Sequence, residues 1–427
     1  MTRKMKDSGI EWIGEIPEEW EVVPTKYLFE TNKKIVGSNE KHYDRLALTL
    51  KGVLKRDKNS RDGLQPTNFT SYQILEKDQL VFKLIDLQNI STSRVGISPY
   101  RGIVSPAYII LSNSRNEVNP KYYYYWFMNM YNYNIFNLLG DAGVRSNISS
   151  SELLKIQVPS PNSKIQNNIV RFLDKKTKQI EDVKNKISKE IETLENYKKS
   201  IITEAITKGL DKNVEMKDSG IDYINEYPAH WEIKRVKYLI SERNARTKDG
   251  KGELLSVSQY RGVIPSSTNK MRVAQAKSLI GYKLVKKSDL VFNKLNPELA
   301  RFGVSEYDGI TSPDYAVYIV SRESILEKFL ELILRTDRYA VEYGRVSLGV
   351  GEGFKRLYTD QLGRFNVACP SINEQNQIVD YLDKKTKLID DSIAIKQKQL
   401  EVLEKYKKSL IYEYVTGKKE VKDGEET

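Results

Sequence analysis

The chain reads as an α+β protein built from two tandem, duplicated globular domains and two long α-helices that pack antiparallel as a coiled coil. Three observations predict this. First, the chain repeats itself: Met5-Lys6-Asp7-Ser8-Gly9-Ile10 returns 211 residues on as Met216-Lys217-Asp218-Ser219-Gly220-Ile221, and Lys26-Tyr27-Leu28 returns as Lys237-Tyr238-Leu239 at the same shift. Leu173-Asp174-Lys175-Lys176-Thr177-Lys178 returns as Leu382-Asp383-Lys384-Lys385-Thr386-Lys387, now 209 residues on. Such a period is far too long for a solenoid and is the length of a whole domain with its connector. Second, residues 164–207 and 374–414 contain no proline or glycine and carry apolar residues every third or fourth position. Third, the stretches before them hold short apolar runs separated by turn signals.

In each globular stretch, Leu80-Val81-Phe82, Tyr108-Ile109-Ile110-Leu111 and Val317-Tyr318-Ile319-Val320 read as strands, with Asp62-Gly63 and Asp249-Gly250 as turns. Residues 324–343 read as helical. The aromatic run Tyr122-Tyr123-Tyr124-Tyr125-Trp126-Phe127 aligns with Phe329-Leu330-Glu331-Leu332-Ile333-Leu334, so it is read as a packed helix rather than a base-stacking surface.

In the first long segment, Ile180, Val183, Ile187, Ile191, Leu194, Tyr197 and Ile201 form the apolar stripe. In the second, Ile389, Ile393, Leu400, Leu403, Tyr406 and Leu410 do so, with Lys396 interrupting. Such a stripe over more than four heptads requires a partner helix. Gly209 and Gly417 end the segments, as glycine often does. From Ile165 to Ala205 is 41 residues, about 60 Å at roughly 1.5 Å per residue. The boundaries are therefore 1–160, first globular domain; 161–209, central helix; 210–369, second globular domain; 370–417, C-terminal helix; and 418–427, tail. The tail, Glu420-Val421-Lys422-Asp423-Gly424, echoes Glu215 to Gly220. It reads as the start of another copy, which implies a pseudo-two-fold, circular arrangement with the C-terminus near the N-terminus.

Composition narrows the function. Among 427 residues, 69 Lys+Arg against 57 Asp+Glu give a net charge of +12, which favours a polyanionic partner, DNA or RNA first. No apolar run approaches the roughly 18–20 residues that span a bilayer, and MTRKMKDSG has no apolar segment after its charges, unlike a secretory signal. One cysteine, Cys369, excludes an internal disulfide and fits a reducing cytoplasm. With His42 and His230 the only histidines, a His/Cys zinc site is not expected. Gly349-Val350-Gly351-Glu352-Gly353 lacks the Gly-Lys-Ser/Thr ending of a phosphate loop. No Asn/Asp-Pro-Pro-aromatic string of amino-methylating enzymes occurs, Asn296-Pro297-Glu298-Leu299 being the nearest.

The opening Lys-Asp-Ser-Gly-Ile with its following Pro and Trp (Lys6 to Trp20, Lys217 to Trp231), the Gly-Ile-x-Ser-Pro-x-Tyr segments (Gly102 to Tyr108, Gly309 to Tyr315), the proline before each Gln-containing helix start (Pro161, Pro370), and the Leu-Asp-Lys-Lys-Thr and Tyr-Lys-Lys-Ser strings all occur twice and in the same order. In this the chain resembles the specificity subunit of type I restriction-modification systems. The resemblance implies two target-recognition domains, each reading one half of a split double-stranded DNA sequence, on a chain that performs no chemistry. It also implies two methyltransferase subunits, which would hold S-adenosylmethionine while this chain holds no cofactor and no metal, and two restriction subunits that join for cleavage. The chain departs from the pattern at the first helix start, where Lys164 stands for the usual acidic residue, so the helix cap there is in question. A stand-alone DNA-binding or coiled-coil scaffold protein and a DNA-modifying enzyme are the alternatives. A coiled-coil scaffold without nucleic acid explains the helices but not two similar basic domains, and a DNA-modifying enzyme lacks its motifs.

The two domains should share a scaffold and differ where they read bases, since base contacts specify and phosphate contacts position. Arg94-Val95-Gly96 and Arg301-Phe302-Gly303 are shared, so Arg94 and Arg301 are candidates for gripping phosphate or supporting the fold. The divergent stretches supply Lys51, Lys55, Arg56, Lys58, Asn59 and Arg61 in the first domain, and Gln259, Arg261, Asn269, Lys270 and Arg272 in the second. Lys83 and Lys294 follow the Leu-Val-Phe strands, while Lys355 and Arg356 end a loop matching the region of Arg145.

Overall fold

The computed structural model describes residues 3–58, 68–87, 94–139, 147–259, 261–268, 278–349 and 354–422. It resolves into two compact units, one made of residues 1–188 with 397–427, the other of 189–396. Each unit therefore contains one globular domain and one half of each long helix.

In the first unit, four strands pair in the order Gly52–Arg56, Arg45–Thr49, Gly102–Val104, Gln73–Leu75, and four more in the order Phe29–Glu30, Ile109–Asn113, Leu80–Phe82, Val95–Ile97. Leu80-Val81-Phe82 is apolar throughout because both its faces are covered. Leu80 and Phe82 enter the main core with Trp20, Tyr122, Trp126 and Phe127. Val81 points the other way, into a smaller core with Leu46, Leu48 and Val53. The second unit repeats this plan. Leu290 and Phe292 join the main core, and Val291 joins Leu255, Val257 and Val263. Its second sheet is sparser: hairpin Leu255–Ser258/Gly262–Pro265 meets pair Lys283–Val285/Gly309–Thr311 through one parallel bridge, Leu254 to Ile310. The matching contact in the first unit is Arg45 to Ile103.

The shared motifs have local reasons. In Asp-Ser-Gly-Ile, the carboxylate of Asp7 accepts from Gly9 N and Ser8 Oγ from Ile10 N, both at 3.0 Å, while Gly9 sits at φ 70°. Asp218, Ser219 and Gly220 do the same. Gly102 and Gly309 are glycines because a Cβ would lie 2.6 Å from Asp44 O and 2.4 Å from Glu253 O. The aromatic run lies on helix Pro120–Asn132, capped by the Asn119 side chain, with Tyr122, Tyr123, Trp126 and Phe127 all inaccessible to solvent. Residues 324–343 take in two helices, Glu327–Leu334 and Asp337–Val346, separated at Arg335 and Thr336.

The long helices are Ser163–Lys208 and Ile372–Val415, followed by Gly209 at φ 75° and Gly417 at φ 72°. Within the first unit they pair antiparallel: Lys407 Nζ lies 2.8 Å from Glu181, and Lys184 Nζ 2.7 Å from Glu404. Within the second, Lys396 reaches Glu190 at 2.5 Å and Lys198 reaches Asp390 at 2.6 Å. The covered seam differs from the expected stripe. Val183, Tyr197 and Tyr406 are exposed, and Lys184, Lys198 and Lys407 take the seam positions beside them. These lysines lay their aliphatic stems along the seam and send the ammonium to an acid on the other helix. Lys396 does likewise, so it continues the seam rather than interrupting it.

The helix starts also differ from the sequence alignment. Buried Gln166 and Gln375 make matching bonds: each Nε2 donates to the carbonyl of the preceding proline, Pro161 at 2.7 Å and Pro370 at 2.9 Å. Each Oε1 accepts a backbone N–H from the globular domain, Asn119 and Leu326. With the glutamines matched, the counterpart of Glu374 is Ile165, not Lys164. The first helix is capped all the same, by Asn162 Oδ1 accepting from Ile165 N at 3.0 Å. Beside the first helix start, Lys418 Nζ donates to Glu15 O and Val421 packs on the main core, which brings the tail beside the N-terminal hairpin as expected.

Candidate nucleic-acid interface

The strand that follows the shared arginine organises each domain. In the first, Val95–Ile97 lies beneath the hairpin formed by Arg45–Thr49 and Gly52–Arg56, where a Cβ on Gly96 would meet Leu48 Cδ1 at 2.5 Å and Val53 Cγ2 at 2.9 Å. In the second, Phe302–Val304 is crossed by the hairpin near its tip, where a Cβ on Gly303 would lie 2.7 Å from Val263 N. The glycine of the shared motif thus admits the hairpin, and the arginine two residues before it holds a loop.

That loop is pinned to a second loop in both copies. Ile148 N donates to Leu84 O at 2.9 Å, and Leu357 N to Lys294 O at 3.1 Å. In the second domain the second loop is a hairpin, Leu348–Gly349 with Lys355–Arg356, and Asn296 N also donates to Lys355 O at 2.9 Å. The loop after the Leu-Val-Phe strand, the second loop and the hairpin tip are therefore neighbours around one short strand.

This arrangement groups the candidates. In the second domain it brings Lys294, Arg301, Lys355 and Arg356 together, with Gln259 and Arg261 at the hairpin tip, whose Gln259 carbonyl accepts from Arg335 at 2.5 Å. Gln259, Arg261 and Lys355 are exposed. Lys355 Nζ donates to Gly344 O at 2.9 Å, and Arg356 pairs with Asp314 at 2.8 Å. Lys294 is half-buried, and burial first, then the neighbouring Lys283 and Arg356, push its ammonium below the usual lysine range against Glu242 and Asp314. Lys283 itself is 3% exposed and pairs with Glu242 at 2.7 Å.

In the first domain, exposed Lys51 lies at the hairpin tip and half-buried Lys83 beside Arg94. Lys55, Arg56 and Lys58 run the other way, toward the far end of strand Gly52–Arg56, which at about 3.3 Å per residue is well over 10 Å from the tip. Lys55 pairs with Asp44 at 2.6 Å, and Lys58 Nζ donates to Glu40 O at 2.7 Å. Asp44 is accordingly held below the usual carboxylate range by Lys55. Asn59, Arg61, Arg145, Asn269, Lys270 and Arg272 lie outside the described residues.

One candidate is corrected. Arg94 is 1% exposed, and its Nη2 donates to Leu87 O at 2.6 Å, so the guanidinium is buried and not available to a phosphate. Arg301 is half-buried and donates to Leu295 O at 2.8 Å in the same way.

Arg101 was not among the candidates read from the sequence. Its guanidinium lies 5.3 Å over the Tyr43 ring and 3.0 Å from Glu76, beside a cleft also lined by Asn39, His42 and Asp44. Arg101 adjoins the shared Gly-Ile-x-Ser-Pro segment where the second copy has Asp308, a charge reversal at a fixed position.

Among the described residues no cluster of His, Cys, Asp or Glu could hold a metal ion, and no helix is long and apolar enough to cross a membrane. Comparison with known proteins finds the type I restriction modification DNA specificity domain model matching twice, over residues 17–193 and 228–405. The chain belongs to that family. It is a type I specificity subunit with two tandem DNA-specificity domains, a component whose partners are DNA and the restriction-modification complex, and whose matched domains specify rather than catalyse. A chain of Methanocaldococcus jannaschii designated the MjaX specificity subunit is 24% identical over 96% of both chains. The type I restriction enzyme MjaVIII specificity subunit of the same organism is 22% identical over 96% of this chain and 95% of its own. Among solved structures, a chain from work on complex assembly and conformational transition of the type I R-M system aligns with TM-score 0.68 at 11% identity, covering 94% of this chain and 98% of that one. The HsdS subunit of Thermoanaerobacter tengcongensis aligns at TM-score 0.50 with 11% identity and the same coverage. At that identity the two structures speak for the fold.

Proposed function

We propose that this specificity subunit reads a DNA target made of two short blocks, one per domain, separated by a fixed number of unread base pairs. The observation that carries this reading is the presence of two DNA-specificity domains on one chain. The domain limits 1–160 and 210–369 mark the two readers, and the paired helices 161–209 and 370–417 set their spacing. In the second domain the reading surface is the loop cluster bearing Gln259, Arg261, Lys294, Lys355 and Arg356; the sequence candidates Asn269, Lys270 and Arg272 contact DNA as well. In the first it is the tip and loops bearing Lys51 and Lys83, while Lys55, Arg56 and Lys58 contact phosphates further along the duplex; the sequence candidates Asn59, Arg61 and Arg145 contact DNA as well. Arg301 supports this surface from below.

Two methyltransferase subunits carrying S-adenosylmethionine and two restriction subunits assemble on the chain in the cytoplasm. Extruding the base to be methylated costs a few kcal/mol and falls to the methyltransferase. Sequencing modified bases in DNA exposed to this chain with its methyltransferase partner tests the reading. Two blocks with an invariant spacer are expected; one continuous sequence contradicts it. Methyl transfer by the purified chain alone would overturn the division of labour.

A further inference from the structure

Arg94 and Arg301 do the same thing in two domains whose loops differ. The backbone carbonyl of each accepts from the residue directly after Leu-Val-Phe, Lys83 N at 2.9 Å and Asn293 N at 3.0 Å. The side chain of each then donates to a carbonyl inside the intervening loop, Leu87 O at 2.6 Å and Leu295 O at 2.8 Å. Between these fixed points the loops differ in length and in nearly every residue, running from 83 to 94 in one copy and from 293 to 301 in the other. A variable insert is held by a constant clamp.

The clamp is costly. Nε of both arginines is buried without a hydrogen-bond partner among the described residues, as is Nη1 of Arg94. A buried charge with unmet donors is unfavourable, and an apolar side chain of similar volume would fill the space at less cost. What an apolar side chain cannot do is hold the loop carbonyl. The loop it holds in the second domain is also strained: Asn296 and Ala300 sit at φ 48° and 42° without being glycine. Such conformations persist only where the surroundings over-determine them.

We propose that Arg301 and Arg94 are positioning residues for DNA reading: each fixes from beneath the loop that presents Lys294 or Lys83, and neither touches DNA. The inference rests on the proposal that these loops contact DNA. It is tested with the full chain bound to its methyltransferase partner, by equilibrium binding to a duplex carrying its methylation sequence and to duplexes with one or the other block scrambled, over a range of salt. Arg301→Lys and Arg301→Met are expected to lower discrimination at one block about tenfold, within the range of a mismatched base pair. Discrimination at the other block and the salt slope should stay those of the wild type; Arg94→Lys and Arg94→Met should mirror this at the other block.

A slope shallower by about 0.9 would make Arg301 a phosphate contact, and full discrimination would make it packing only. Equal loss at both blocks, or failure of both the Lys and Met variants to fold, would also overturn the proposal, because a role confined to the loop leaves the core intact. Lys294→Ala separates the underlying reading from the inference: unchanged affinity and discrimination there sinks the loop as a DNA contact, whatever Arg301 does.

Discussion

The two domains are copies, and the places where they part company are informative. Trp20 and Trp231 hold the same corner, each almost wholly buried. Trp231 Nε1 donates to Glu374 at 3.1 Å, whereas Trp20 Nε1 has no partner among the described residues, because Ile165 stands where Glu374 would be. Gln73 and Lys283 begin corresponding strands and are both 3% exposed, yet Gln73 donates to the Ser105 and Tyr108 carbonyls while Lys283 pairs with Glu242. Such substitutions are tolerated because each brings its own partner or leaves only one donor unmet. By contrast, Gly102 and Gly309, Gly96 and Gly303, and Gln166 and Gln375 are identical because backbone or close packing meets them in both copies. The scaffold is constrained by steric contact, and the loops between its fixed points are free to diverge.

The largest expected effect comes from exchanging a whole reader. Replacing residues 30–160 with the matching part of another specificity subunit should change one block of the methylated sequence and leave the other block and the spacer intact. A change in both blocks, read by sequencing modified bases, would mean that the domains do not act independently.

A smaller effect should follow from making the second copy like the first. Glu374→Ile leaves Trp231 Nε1 unpaired and is expected to cost about 1–3 kcal/mol, the usual penalty for an orphaned buried donor. It would be seen as a lower melting temperature; no change would show that a carboxylate at this corner is dispensable in both copies.

Acid should separate the ion pairs from the apolar seam. At Glu181, burial is outweighed by Lys407 and Lys184, so its carboxyl is held below 4.5 in the folded state. At Glu242, burial is outweighed by Lys283 and Thr359, with the same result. A carboxyl depressed on folding contributes stability that is complete above the unfolded value and is lost as pH falls through the folded one. Stability should therefore decline below about pH 4.5, and Glu181→Gln with Glu242→Gln should flatten that decline. An unaltered acid limb in the double variant would place the titration elsewhere.

The smallest effect concerns a single seam lysine. Lys198→Ala removes a half-exposed pair with Asp390 and is expected to cost no more than about 1 kcal/mol. A much larger loss by denaturant titration would mean that the lysine stems, not the apolar residues, carry the helix pairing.

Much of this was legible in the sequence. The duplication, the two proline- and glycine-free segments with their glycine ends, and the packed aromatic helix all follow from local patterns that the fold keeps. The exact seam was not legible, because Lys184 and Lys198 are amphipathic and a hydropathy pattern prefers Val183 and Tyr197 beside them. Nor was the burial of Arg94. A basic residue in both copies suits a phosphate grip as well as a clamp, and only the fold shows Arg94 buried with its Nη2 on the Leu87 carbonyl. The separation of Lys51 from Lys55 and Lys58 was hidden for a similar reason: they are close along the chain, but an extended strand carries them apart.

The central claim is that two independent readers are spaced by the paired helices. The most direct measurement is the methylated sequence of a variant with seven residues inserted after 188 and seven more after 396, which preserves the heptad register on both helices. The account expects both blocks unchanged and the spacer altered. Altered blocks with the original spacer would contradict it.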